Sequence, residues 1–380
     1  MSAPFVQLGS IARFLNGAIF KPEDWGESGM RIIRIQNLTD STRAFNRTQR
    51  VVDEDLHVRP GDLLVSWSAT LGVFEWAGPD VAVLNQHIFR VLPDERHVVK
   101  RYLRHGLEAA LLDMRRHLHG ATMKHVNRGE FLGTKLFLPS LAEQHRIAEL
   151  LDRAEALRAK RRASLLELDS LAHALFLDLF GDPVTNPKGF GVSRLGDVCD
   201  VRDGTHASPK YVSEGGHPLV TSRNLTGGTV DLSEVNFISQ ADYDQINKRS
   251  KVHRGDLLMP MIGTIGSPVL VEHEPRYAIK NVALIKFTED SPSAVFVRHL
   301  LSCHYFDSIV GQKNRGGTQK FISLGDLRAF PLPLPPLPLQ REFAGRVEAL
   351  ERLRTAYRAS LTELEALFAS LQDRAFRGEL

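Results

Sequence analysis

Two multi-point patterns occur twice in this chain, in the same order, and a repeat of that kind means one architecture is built twice. Residues 120 to 144 carry G-x-T-x-K-x4-G-x8-L-P-x-L-x2-Q, on Gly120, Thr122, Lys124, Gly129, Leu138, Pro139, Leu141 and Gln144. Residues 316 to 340 carry it again with every gap preserved, on Gly316, Thr318, Lys320, Gly325, Leu334, Pro335, Leu337 and Gln340. A second pattern, G-D-L-L-x5-T-x-G, runs from Gly61 to Gly72 and from Gly255 to Gly266. Fainter echoes pair Leu8-Gly9 with Leu195-Gly196, Asn37-Leu38 with Asn224-Leu225, and Arg104-His105 with Arg298-His299. The chain is therefore read as two diverged copies of one unit.

Each copy begins with short strands and ends in a long helix. In the first, Arg31–Gln36, Leu63–Trp67, Val81–Leu84 and Ile88–Leu92 mix β-branched and aromatic residues between Gly, Pro, Asp and Asn turns. Residues 101–117 then read as a helix. The second copy repeats the order, with strands at His217–Thr221, Asp256–Pro260, Val269–Glu272 and Val282–Phe287 and a helix over Ala294–Val310. Gly-Asp-Leu-Leu is expected to be a turn entering a buried strand, Gly supplying the φ, Asp the cap and the leucines the core.

The character changes at Ser140-Leu141-Ala142-Glu143, a capping-box match. Apolar residues follow at helical spacing: Ile147, Leu150, Leu151, Ala154, Leu157, Leu165, Leu168, Leu171, Leu175 and Leu179. Gly181 and Pro183 end the run. The second copy does likewise with Phe343, Val347, Leu350, Leu353, Tyr357, Leu361, Leu364, Phe368 and Leu371. A long two-faced helix needs a partner, and two related stripes most simply bury each other as an antiparallel coiled coil. The alternative is that each packs back on its own globular domain. The fold expected is α+β: β-rich domains at 1–139 and 191–335, alternating with long helices at 140–180 and 336–380, with a linker at 181–190. The proline run from Pro331 to Pro338 matches Phe137–Leu141 of the first copy, which makes it a stiff connector rather than a ligand for a proline-binding module.

Catalytic motifs are missing: no G-x-S-x-G elbow, Walker loop, H-E-x-x-H or dinucleotide fingerprint is present. Asn186-Pro187-Lys188-Gly189-Phe190 is similar to the Asn-Pro-Pro-aromatic loop of amino-methyltransferases but lacks the second proline and follows a helix stop. Two cysteines form no disulfide framework and no Cys/His cluster has zinc spacing, so neither metal nor cofactor is expected in this chain. No apolar run reaches the roughly 18 residues of a membrane span, and the N-terminus has no secretory pattern, so a cytoplasmic protein is expected. A net charge of +3 permits nucleic-acid binding. The loops favour it, because DNA recognition needs cations for phosphates and forked side chains for base edges. Lys313-Asn314-Arg315-Gly316-Gly317-Thr318-Gln319-Lys320 combines both with glycines for close approach, and residues 117–125, including Thr122 and Lys124, are its counterpart. Arg34 and Asn37 at one strand end match Arg223 and Asn224 at the equivalent one. Any one of these residues is accounted for by a solvated loop; their recurrence is the signal.

The stretch from Leu138 to Ala148 resembles the opening of the helical region in specificity subunits of type I restriction–modification systems. So does Leu165–Asp169 with the stop Phe180-Gly181-Asp182-Pro183, and the resemblance covers essentially the whole chain. It implies two target-recognition domains that each read half of a bipartite DNA site, and helices that scaffold two methyltransferase and two ATP-dependent restriction/translocase subunits. S-adenosylmethionine and ATP with Mg would then belong to the partner subunits. By position it adds Ser66–Thr70 and Met261–Thr264 to the contact loops, hence Ser66, Thr70 and Thr264. Pro338-Leu339-Gln340 and Phe376-Arg377-Gly378 depart from the family pattern, so a different cap is expected on the second helix.

Overall fold

A computed structural model describes residues 4–117, 128–263, 265–313 and 321–380, with the side chains of 116, 117, 312 and 313 excepted. The chain divides into two compact units, Met1–Ala163 with Arg358–Leu380, and Ser164–Tyr357.

In the first unit an antiparallel sheet runs in the order Ala12–Asn16, Ile88–Pro93, Leu63–Ser66, Gly72–Glu75. A second sheet has the order Asn46–Thr48, Met30–Ile33, Ala82–Leu84, His57–Val58, with its middle pair parallel. The second unit repeats the first sheet and three strands of the second. Its first sheet is Asp200–Asp203, Val282–Lys286, Leu257–Pro260, Val269–Leu270, and its second is Asn236–Ile238, His217–Val220, Ala278–Ile279. The Gly-Asp-Leu-Leu turn is built identically twice. Gly61 and Gly255 sit at φ +88° and +91°. Asp62 and Asp256 each accept the backbone N–H three residues back at 2.8 Å, from Arg59 and His253. The four leucines that follow are at most 1% exposed. A side chain at either glycine would be strained by its positive φ, and burial of the leucines supplies the core of the sheet.

The repeated glutamine closes each domain onto its long helix. Gln144 accepts from Val99 N at 2.8 Å and donates to His97 O and Pro139 O. Gln340 accepts from Ser293 N at 2.8 Å and donates to Pro335 O. Both are about 1% exposed or less, so each polar atom left without its partner would carry a full desolvation cost.

The long helices span Leu141–Phe180 and Leu337–Arg377. They pair antiparallel within each unit. In the first, the Arg158 guanidinium lies 4.3 Å from the Phe368 ring centroid, and Arg162 pairs with Glu365 at 2.5 Å. In the second, Arg354 approaches Asp169 at 3.4 Å, and Phe176 meets Phe343 at 5.6 Å between centroids. The alternative partner is present as well. Ile147, Leu151 and Ala154 share one core with Leu103, Leu107 and Phe131 of the first domain, and Phe176 and Phe180 share another with Phe296 and Leu300 of the second. The stripe is thus divided between domain and partner helix. Leu157 and Leu171 are half exposed, and Leu165, Leu168 and Leu364 are half-buried.

Three expectations need correcting. The Ala294–Val310 helix is two, Ala294–Ser302 and His304–Lys313, broken where Cys303 adopts an extended backbone. The Arg31–Gln36 strand ends at Ile33, and Ile35–Thr39 is a short helix. The second long helix is capped differently at its start alone, where Pro336 replaces Ser140, whose hydroxyl accepts from Glu143 N at 3.3 Å; at the other end Gly378 takes φ +78° as Gly181 takes +76°, so both helices end on a left-handed glycine. Asn186–Phe190, the segment similar to a methyltransferase loop, completes the first cap, with Lys188 Nζ donating at 2.8 Å to the helix-terminal carbonyls of Asp178 and Leu179.

Candidate nucleic-acid interface

Sheet register decides which loops can act together. In the first copy Asn16 pairs with Phe89 and Ser66 with Ile88, so the loops after Asn16, after Ser66 and before Ile88 leave one end of the sheet. The second sheet delivers Arg34 to the same end, because Asn85 N donates to Ile33 O at 3.0 Å. The helix Lys100–His117 arrives there too: Arg115 donates to Leu71 O. The second copy repeats the arrangement. Asp203 pairs with Ala283 and Pro260 with Val282, while Lys280 N donates to Val220 O at 2.9 Å beside Thr221–Asn224. Ile262 forms a bridge with Phe321, the residue after Lys320, and Ile322 N donates to Met261 O at 3.0 Å. In each copy the described parts of the chosen loops are collected at one sheet end.

Within that end the candidates divide by role. Asn37 is buried; its oxygen accepts from Arg34 N, and its amide donates to Arg43 O and Ala44 O. Asn224 does the same, accepting from Thr221 N and donating to Asp231 O and Glu234 O. Their recurrence has a structural cause, since both asparagines tie a loop to its own strand end. Ser66 is fully buried and donates to Ser68 O at 3.3 Å. The outward-facing candidates are Arg34, whose guanidinium lies 5.3 Å from the ring centroid of Trp25, exposed Thr70, and exposed Arg223. Thr122, Lys124, Thr264, Arg315, Thr318 and Lys320, and the side chain of Lys313, lie outside the described residues.

Sequence reasoning missed the turn between the two sheets. Asn85-Gln86-His87 in the first copy and Lys280-Asn281 in the second interrupt runs of buried apolar residues at this same end. The signal was legible: two buried strands separated by forked, polar side chains, in both copies. The crossing beside the turn also demands glycine. A Cβ on Gly17 would lie 2.2 Å from Asn85 O, and one on Gly204 2.3 Å from Ile279 O.

Elsewhere, the ligand atoms of His105, Asp152 and Glu155 lie within 4.8 Å of one another. The Arg104 guanidinium already donates to both carboxylates, at 3.0 and 2.6 Å, so this is an ion-pair network with a cation in place.

No helix among the described residues is long and apolar enough to cross a membrane. The family model for the type I restriction modification DNA specificity domain matches residues 4–167 and 187–366, one match per copy. The specificity subunit of the Escherichia coli type I restriction enzyme EcoBI is 27% identical, over 99% of this chain and 85% of its own. The MjaVIII specificity subunit of Methanocaldococcus jannaschii is 21% identical over 87% and 82%. The crystal structure of the type I S subunit from M. genitalium superposes with a TM-score of 0.59 at 14% identity, covering 98% of this chain and 96% of that one. A second type I restriction–modification structure reaches 0.62 at 20%, covering 100% and 98%, which places the fold with theirs. Two matched domains across nearly the whole length settle the assignment: the chain belongs to the type I restriction–modification DNA-specificity family.

Proposed function

We propose that the chain reads a bipartite duplex site, one half through each recognition domain (1–139 and 191–335). On this reading its two long helices hold two methyltransferase subunits and two ATP-dependent restriction/translocase subunits. The observation that carries the reading is the duplicated sheet end, where loops bearing cations and forked side chains gather in both copies. The contacts are assigned to Arg34 and Thr70 with Thr122 and Lys124 in the first half, and to Arg223 and Thr264 with Lys313, Arg315, Thr318 and Lys320 in the second. Asn37, Asn224 and Ser66 shape the loops that present them. S-adenosylmethionine and ATP with Mg bind the partner subunits, and the site of action is the cytoplasm, where host DNA lies. A solved relative described in terms of complex assembly and conformational transition of the type I system supports a role within an assembly.

The test is exchange of residues 1–139 for the equivalent domain of another family member, followed by methylation-sensitive sequencing of host DNA. One half-site should change while the other and the gap stay fixed. Both halves changing would overturn the assignment of one half to each domain. The purified chain alone should transfer no methyl group, and adding the cognate modification subunits should restore adenine methylation.

A further inference from the structure

The second recognition domain carries a cation cluster with no counterpart among the described residues of the first. Its centre is Asp203, 5% exposed, at the end of the strand Asp200–Asp203. The Arg249 guanidinium donates to its Oδ1, and His206 Nε2 lies 2.7 Å from its Oδ2. The other ring nitrogen of His206 is 2.7 Å from Asn281 Oδ1. An imidazole with an oxygen acceptor at each nitrogen is favoured in its doubly protonated form. Accordingly the hydrogen bond donated to Asp203, then that donated to Asn281, raises the His206 pKa above its ordinary value, against an opposing push from burial and from Arg249. Lys280, adjacent to Asn281, reaches Ser208 Oγ at 2.9 Å. One buried carboxylate thus organises two cations, Arg249 and His206, with Lys280 beside them in the turn that holds Asn281. The Arg249 and His206 side chains remain 67% and 64% exposed.

The first copy has Asn16 where the second has Asp203, and Ile19 where it has His206. Asn16 is used instead to accept from Trp67 Nε1 at 3.2 Å. Nor does the first copy have a helix like Gln240–Ser250, whose last turn supplies Arg249. The cluster stands at the loop end of the sheet, beside the Met261–Thr264 loop, because Pro260 pairs with Val282. A surplus of exposed cations on a preorganised frame suits the DNA backbone, whose phosphates fix position without reading sequence. We infer that Arg249, Lys280 and His206 form a phosphate clamp on the second half-site, giving that half a stronger backbone anchor than the first. This rests on the DNA-reading role proposed above.

The experiment uses the full chain and a fluorescent 40-bp duplex of arbitrary sequence, from 50 to 200 mM NaCl. Each phosphate contact contributes about 0.9 to the slope of log K against log salt, so Arg249→Ala/Lys280→Gln should lose about 12-fold less affinity over that range than wild type. Lys280→Gln alone should show half of the slope change and keeps Asp203 paired, which separates the clamp from misfolding of the Arg249 variant. At fixed salt, the gain in affinity from pH 8 to pH 6 should shrink in His206→Gln. A folded double variant with the wild-type slope overturns the clamp, and an unchanged pH ratio overturns the part given to His206. Wild-type protein that fails to bind the duplex at 50 mM NaCl overturns the DNA-reading role instead.

Discussion

The joint between recognition domain and long helix is made twice from the same Arg-His pair, and the two joints use opposite chemistry. In the first unit Arg104 reaches Glu108, Asp152 and Glu155 at 3.1, 3.0 and 2.6 Å, and fully buried His105 meets Asp152 at 2.7 Å. In the second, Arg298 keeps one long pair, with Glu351 at 3.5 Å. His299 instead stacks on Phe176 at 4.6 Å and His173 at 5.9 Å, with Phe343 edge-on at 5.4 Å. The side chains of the long helices decide the difference. They offer Asp152 and Glu155 to the first joint, and Phe176 from one helix with Phe343 from the other to the second, so repetition fixed where the contact falls and divergence chose what holds it.

That contrast breaks most sharply by truncation. Phe176 is 1% exposed, and Phe176→Ala should destabilise the second unit by about 3–5 kcal/mol, with little response to salt. Arg104→Ala removes the cation that Asp152 and Glu155 share, leaving Arg101 and His105 on Asp152. Its partners are only partly buried, so the cost should be nearer about 2–3 kcal/mol than the figure for a sealed pair. Calorimetry of the full chain at 0.1 and 1 M salt distinguishes the two. High salt should weaken the wild-type first joint and leave the second unchanged. Equal salt sensitivity in both would erase the distinction.

Acid should separate the joints next. Burial, then the nearby His173 and Arg298, push the His299 pKa down to about 4. A base with a depressed native pKa binds fewer protons folded than unfolded. The associated stability is complete above about pH 6.5 and is lost as pH falls through 4, by roughly 3 kcal/mol in all. Asp152 behaves differently. Burial pushes its pKa up, but hydrogen bonds from His105, Arg101 and Arg104 outweigh that and hold it below the ordinary carboxylate value. Its contribution is therefore lost only at lower pH. Hydrogen exchange between pH 7 and 5 should show Ala294–Ser302 loosening while Lys100–His117 stays protected, and His299→Phe should remove the difference.

The parts legible in sequence were those fixed by local rules applied twice. The Gly-Asp-Leu-Leu turn, the proline-to-helix junction and the helix stop depend on φ, capping and periodicity, which neighbouring residues specify. What stayed hidden was tertiary. Asn37 and Asn224 looked like base readers because their recurrence was visible and their backbone partners were not. Cys303 breaks a helix whose apolar pattern continues through it. The clamp around Asp203 joins residues from three separated segments, and nothing in the spacing of Asp203, Arg249 and Asn281 brings them together before the fold does. The loop end of the sheet was partly legible, because two of its loops carried the repeat pattern itself.

The smallest effect falls within one helix, where Leu151 and Leu168 share a stripe and differ in what covers them. Leu151 is fully buried among Leu103, Leu107 and Phe131, so Leu151→Ala should cost about 2–5 kcal/mol through lost transfer energy and the cavity left behind. Leu168, in the second unit, is half-buried and stands outside that unit's main core. There the solvent already reaches much of the side chain, and little cavity remains once it is removed. At about 25 cal/mol per Å² of apolar surface, Leu168→Ala should cost only about 1 kcal/mol. The prediction is a shift of a few degrees in melting temperature for Leu168→Ala against a large loss of the first unit's transition for Leu151→Ala. Equal losses would mean that Leu168 is as well covered as Leu151. A null result at Leu151 would mean that the domain, rather than the helix, carries the stability of that core.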